Sequence, residues 1–421
     1  MSVSRRRFLQ AGAVGAAGTF AAGKASAHPL MMPSEQTEAL DRVAAEPVLQ
    51  VDDLTEPVEI ERMELLHVEA DREWLVRARS TEGAEGIAVT SSGRFHEAYP
   101  LYLHRVAPFF QGRDARDLET HLWDLYRHGS SYKYQGMLFW CCVAAAEMAI
   151  LDMLGKIGGK SIAQLLGGIR QSEMPIYYAS GHRYNTPEEE AEHLQGLVEG
   201  TGAQAVKFKL GGRMSRNADS IPGRSEALIP LVRETLGPDI TLYTDANSSY
   251  DVPNAVRLGR LQEEYGYGFF EEPVPFDHLE ETRQCTQELD VPIAWGEQEF
   301  STWRFRWMIQ NHGVDIVQPD LHYYGGYIRS MRVARMADHV GLIVQPHMSG
   351  WGTGFIDLLH YHAAMPNPGP FQEYKGQSRV PVESDTSSLR PENGVIQVPT
   401  GPGFGIRIDP DYLGAARRVT L

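Results

Sequence analysis

The stretch ITLYTDAN, residues 240–247, is a short run of β-branched, apolar and aromatic residues that closes on an acid, Asp245. The same construction follows twice at equal spacing, with YGFFEEP (267–273) closing on Glu271 and VPIAWGEQ (291–298) closing on Glu297. Working outward, the same reading picks out MPIYYASG (174–181) and QAVKFKLG (204–211) upstream. Downstream it picks out VDIVQPDL (314–321), GLIVQPHM (341–348) and GPFQEYK (369–375). Amphipathic helical stretches separate the runs, which is the alternation of a parallel sheet covered on both faces. An open doubly wound sheet would gather its polar residues at one switch point, whereas here almost every run ends in Lys, Asp, Glu or His. No Gly-x-Gly-x-x-Gly or phosphate-loop pattern follows any run. The chain therefore predicts a closed eight-stranded α/β barrel whose C-terminal rim collects the chemistry.

Upstream, PVEIERMELLHVE, EWLVRARST and EGIAV read as an antiparallel meander, followed by helical segments through residue 166. The turn-rich GVIQVPTGPGFGIRID near the C-terminus is expected to return to that first domain. This gives a capping domain over 55–173, a barrel over 174–376 and a returning segment over 377–421, with 28–54 a linker lacking periodicity. Residues 1–27 read as a twin-arginine export signal: SRRRFLQ, an Ala/Gly-rich run, then the A-x-A of Ala25–Ala27. A membrane anchor is the alternative reading of that run. Cleavage near His28 predicts a periplasmic or extracellular protein, with the twin-arginine machinery as a partner and no membrane association afterwards.

A formal net charge of -16 argues against nucleic acid as a partner. Three cysteines make no disulfide framework, and Cys141 and Cys142 sit in an apolar helical run. His360 and His362 likewise read as packing or surface groups in a helix.

Three carboxylates converging on a rim repel one another unless a cation sits between them, and an all-oxygen set suits Mg²⁺. Asp245, Glu271 and Glu297 are the expected ligands. Of the adjacent Glu271 and Glu272, only one is expected to face inward, and Glu271 is chosen. Asp320 and His347 stand at matching places on successive runs, where an Asp fixes the imidazole tautomer and makes it a proton shuttle. Lys207 and Lys209 share a strand face. Their mutual repulsion favours a neutral amine at Lys209, the candidate base, with Lys207 tuning it and contacting a substrate carboxylate. His182, Arg183, Tyr132 and Lys133 are candidates to hydrogen-bond a polyhydroxy acid.

This ordered set, together with Glu373 in FQEY and the stretch AAEMAILDMLGKIGGKSIAQLLGG, resembles the enolase superfamily and, within it, the mandelate racemase subgroup. The resemblance implies a modified TIM barrel, (β/α)7β, with an α+β capping domain built from both chain ends. It implies Mg²⁺-dependent abstraction of the proton alpha to a carboxylate through an enediolate, with Lys209 and His347 on opposite sides of the substrate. It further implies that protonated Glu373 donates a hydrogen bond to the enediolate, that Asn247 contacts substrate oxygens, and that the chain forms a homo-oligomer. Dehydration of a sugar acid is the leading expectation. Racemisation or epimerisation by opposed bases is the alternative, and a non-catalytic exported sugar-acid binder is the third. In the cap, GIAVTSSGRFHEAYP departs from the family's usual G-W-G-E-A, which leaves the substrate open.

Overall fold

The computed structural model describes residues 33–349 and 353–420. The export signal expected over 1–27 lies outside these residues.

The meander forms as β1 (Ile60–Val68), β2 (Glu73–Ser80) and β3 (Glu85–Val89), all antiparallel. Its inner face rests on a 22-residue helix, Met137–Gly158, which is enclosed from Phe139 to Gly155. A helix apolar all round must be covered all round, and this one packs against the cap sheet on one side and reaches the barrel helices on the other. Cys141 and Cys142 are buried within it. At Gly86 of β3 a Cβ would stand 2.1 Å from the Ala149 carbonyl oxygen, so only glycine lets strand and helix approach this closely.

Eight parallel strands build the barrel: β4 (Glu173–Ala179), β5 (Ala205–Lys209), β6 (Thr241–Asp245), β7 (Phe269–Glu271), β8 (Ile293–Trp295), β9 (Ile316–Val317), β10 (Ile343–Val344) and β11 (Gln372–Tyr374). Each run read from the sequence coincides with one of them, β4 beginning one residue before its run, at Glu173. Sequential strands are neighbours, and β11 pairs with β4. The ring closes where Val344 N–H donates to the Asn367 carbonyl and Gly369 N–H to the Val344 carbonyl, at 2.9 and 2.8 Å. Tyr177, Tyr243, Phe269, Ala294 and Ile316 fill the interior, with the Tyr243 and Phe269 rings stacked 3.9 Å apart. The barrel is thus a packed core whose mouth alone is open to chemistry.

The chain after the barrel adds β12 (Val395–Gln397) antiparallel to β4 and later places β13 (Arg417–Val419) beside β1 of the cap. The linker expected over 28–54 is corrected by the structure. Residues Pro33–Ala45 form a helix that packs on helices Thr302–Gln310 and Tyr327–His339. It buries Ala39 and Leu40, and Arg306 pairs with Asp41 at 2.7 Å. Beyond it, the Val48 and Leu49 amides both donate to Glu119, each at 2.7 Å. The apolar stripe of Ala39, Leu40 and Val43 is too narrow to register as periodicity, and its partners are supplied by distant chain.

Candidate active site

Parallel register determines which side chains meet. Lys209 lies beside Asp245, and Asp245 beside Glu271, so three strand ends present charge at one level. Glu297 follows β8 directly. One oxygen each of Asp245, Glu271 and Glu297 lies within 4.8 Å of the others, and all three residues are buried. Burial first, then the neighbouring Asp245, Glu297 and Glu373, push Glu271 up to about 8 against the pull of Lys207. Glu297 moves the other way: burial opposes its ionisation, but His347, Lys209 and Lys207 outweigh it and lower its pKa. Glu271 Oε1 is enclosed without a hydrogen-bond partner. An orphaned oxygen within a dense set of hard oxygen donors fits a divalent cation such as Mg²⁺.

The expectation that only one of Glu271 and Glu272 faces inward is corrected. Glu272 is also buried, with φ at 39°, and its carboxyl is raised well above the usual range by burial and by Glu297, Asp245 and Glu271. The left-handed backbone at Glu272 breaks the alternation expected of a strand, so both acids join the cluster's field. Only Glu271 contributes to the three gathered oxygens.

Lys207 is completely enclosed. Its ammonium lies 2.6 Å from Glu271 Oε2, 2.9 Å from Glu373 Oε1 and 5.2 Å over the Tyr177 ring. Burial alone would lower its pKa, yet Glu271 and Glu373 raise it well above normal. Its expected contact with a substrate carboxylate is corrected accordingly, because the ammonium is sealed beneath the acids and fully engaged by them. Lys209, ion-paired with Asp245, retains 8% exposure and faces the mouth.

Opposite, His347 Nδ1 lies 2.7 Å from Asp320 Oδ2. The other Asp320 oxygen accepts the His322 and Tyr323 amides at 2.9 and 3.0 Å, which fixes the carboxylate. His347 Nε2 stands 3.2 Å from Glu297 Oε2. Burial would lower the imidazole pKa, but Glu297 and then Glu373 and Asp320 raise it over the opposition of Lys375.

Glu373 is expected as a protonated donor, and here the structure differs. Despite burial, Lys207, Lys375, His347 and the Met348 amide at 2.6 Å hold it ionised. Sequence reasoning missed Lys375. Its Nζ sits 3.2 Å from His347 Nε2 and 3.4 Å from Glu373 Oε2. The signal was present, since Glu373 and Lys375 repeat the one-residue spacing of Lys207 and Lys209.

The expected substrate contacts fall into two groups. Asn247 donates from Nδ2 to Asp245 at 2.9 Å and to Glu297 at 3.2 Å, and its Oδ1 accepts from Arg183 and Arg213. Arg183 is buried and also donates to the Leu210 and Gly211 carbonyls, at 2.7 and 3.0 Å. Both brace the acid cluster, and their polar atoms are taken by the protein itself. His182 lies edge-on to His193, and Tyr132 packs on Tyr126. Among the described residues, neither Tyr132 nor the exposed Lys133 contacts the acid cluster.

Residues 48–167 match the family described as mandelate racemase / muconate lactonizing enzyme, N-terminal domain, and residues 189–412 match the enolase C-terminal domain-like family. The chain belongs to the mandelate racemase subgroup of the enolase superfamily. It is 30% identical over 317 residues to D-galactarolactone cycloisomerase of Agrobacterium fabrum, covering 72% of this chain and 80% of that protein. Arabinonate dehydratase of Saccharolobus solfataricus is 29% identical over 301 residues, covering 70% and 77%. Among solved structures, a mandelate racemase/muconate lactonizing protein from Paracoccus denitrificans PD1222, complexed with magnesium, is 28% identical. It superposes with a TM-score of 0.76 over 86% of this chain and 99% of its own. This superfamily member thus has the barrel and capping domain of its relatives.

Proposed function

We propose that this chain is a Mg²⁺-dependent sugar-acid dehydratase, converting its substrate to a 2-keto-3-deoxy acid. The observation that supports the reading is that Lys209 pairs with one member of a buried acidic triad, Asp245, while His347, held by Asp320, meets another, Glu297. Asp245, Glu271 and Glu297 would hold the ion, which when bound supplies Lewis-acid stabilisation of the charge that grows on the substrate carboxylate. Lys209 takes the C2 proton. His347, held charged by Glu297 and Asp320, gives its Nε2 proton to the departing C3 hydroxyl. Glu373, ionised between Lys207 and Lys375, stabilises that imidazolium rather than donating a proton.

Racemisation would use the same pair, with the charged His347 returning a proton to the opposite face of C2, so the ion pairs around the ring suit either reaction. The arabinonate dehydratase among its relatives favours dehydration over the alternative. A non-catalytic binder would be expected to lose at least one of these groups, and all are in place. The reading also includes export, carried by the residues from Ser4 to Ala27, and assembly into a homo-oligomer. Cell fractionation of wild type and an Arg5→Lys/Arg6→Lys variant tests the former, and light scattering the latter.

The activity is tested by proton NMR in D₂O, with Mg²⁺-loaded protein and a panel of aldonates and aldarates. Loss of the C2 proton together with formation of a 2-keto-3-deoxy product supports the proposal. Exchange with inversion at C2 and no elimination supports the racemase, and saturable binding without exchange supports the binder.

A further inference from the structure

Nearly every cation at the barrel mouth is already engaged. Lys207 serves Glu271 and Glu373, Lys209 serves Asp245, and Lys375 serves Glu373 and the Met348 carbonyl. His347 is engaged by Asp320 and Glu297, and Arg183 by backbone carbonyls and Asn247. Arg94 differs. It comes from the cap, in the first turn of helix Ser92–Leu101, and is exposed. Its guanidinium lies 5.8 Å over the Tyr323 ring, and that ring's centroid lies 6.2 Å from that of His347. Among the described residues the Arg94 side chain has no ion pair or hydrogen bond, in a chain where Asp and Glu outnumber Lys and Arg 55 to 39.

The position is informative because the reacting end of the substrate has its partners elsewhere. A carboxylate drawn to the acidic triad lies at the Glu297 and Lys209 side, and the carbon chain then passes His347. Tyr323 is the next surface beyond His347, and Arg94 lies over it. A six-carbon chain spans about 6 Å between its terminal carbons, the scale of the 6.2 Å step from the His347 ring to the Tyr323 ring that Arg94 overlies. An unpaired arginine forms strong two-point hydrogen bonds to a carboxylate and much weaker ones to a neutral hydroxymethyl group.

We propose that Arg94 binds a second carboxylate at the far end of the substrate, so that the preferred sugar acids are dicarboxylic. The proposal rests on the sugar-acid reading above for its choice of ligands, and its test reads binding rather than turnover. Mg²⁺-loaded protein is titrated calorimetrically with galactarate against galactonate, and with glucarate against gluconate, pairs that differ only at C6. In at least one pair the diacid is expected to bind at least about tenfold more tightly, the size of one charge-assisted contact. Arg94→Met should bring that ratio to within about twofold while Arg94→Lys recovers part of it, with Mg²⁺ affinity and Tm unchanged as evidence of folding. Failure of both diacids to bind, equal binding within both pairs, or a preference that survives Arg94→Met overturns the proposal. An Arg94-dependent preference without C2 exchange would leave this subsite standing and remove the dehydratase reading. Exchange confined to monoacids would do the reverse.

Discussion

Two carboxyls in this protein are enclosed to the same degree and raised to the same value, yet only one stands at the candidate active site. Glu147, midway along the helix Met137–Gly158, and Glu271, at the end of β7, are both pushed to about 8, in each case chiefly by burial. Glu147 accepts a hydrogen bond from the Ile328 amide at 3.0 Å and lies against the backbone turn at Gly326. Glu271 instead meets Lys207 at 2.6 Å and gathers with Asp245 and Glu297. A shifted pKa therefore reports burial in both regions, and what separates them is convergence. A neutral acid satisfies Glu147's surroundings, whereas the three strand ends place charge against charge and need a counter-ion.

That contrast breaks most severely at Lys207. Lys207→Met would leave Glu271 and Glu373 without the cation they share, and breaking a buried pair in this way should cost about 3–5 kcal/mol in urea unfolding of the metal-free protein. Wild-type stability in the variant would show that the enclosed lysine is not what permits the cluster to fold. Next comes Glu271→Gln, expected to weaken Mg²⁺ binding by at least about a hundredfold in calorimetry. Glu147→Gln should keep Mg²⁺ affinity within about twofold, and a larger loss there would dissolve the distinction between the two regions.

The smallest effect sharpens the comparison through pH. Because folding raises Glu147 from 4.5 to about 8, the folded state holds this proton longer than the unfolded chain does. Its contribution is fully present below the unfolded value and is lost as pH rises through the folded one. Glu147→Gln removes this dependence. Its Tm relative to wild type should therefore climb between pH 5 and pH 9, by a few degrees, and level off above that. A difference in Tm that stays flat with pH would contradict the burial account of Glu147.

The barrel was legible because buried parallel strands are short apolar runs, and because their closing residues, Asp245, Glu271, Glu297, Asp320 and His347, are costly to bury without a purpose. Their gathering followed from register alone. Lys375 follows Glu373 at the same one-residue spacing that puts Lys207 and Lys209 on one strand face, so it too was legible in the sequence. Other features were beyond local reading. The inward turn of Glu272 depends on a positive φ that no propensity announces. The helix at Pro33–Ala45 gains its order from two helices late in the chain. Arg94 reaches Tyr323 only because cap and barrel pack together, a contact between segments that share no local pattern. Arg183 is legible as a polar rim residue and Asn247 as a substrate contact implied by the resemblance, but their commitment to bracing the acids appears only once the loops are folded.

The central claim is that the acid triad, with a divalent ion, lets Lys209 remove the C2 proton while His347 serves the opposite face. Its most direct test is C2 hydrogen–deuterium exchange by NMR, using whichever panel acid the Mg²⁺-loaded wild type turns over, in parallel with Lys209→Ala and His347→Asn. The account predicts that both variants bind Mg²⁺ and lose dehydration, by about a hundredfold to ten-thousandfold. His347→Asn alone should still exchange the C2 proton, and EDTA should stop all exchange. Undiminished exchange in Lys209→Ala, or exchange that persists in EDTA, would contradict it.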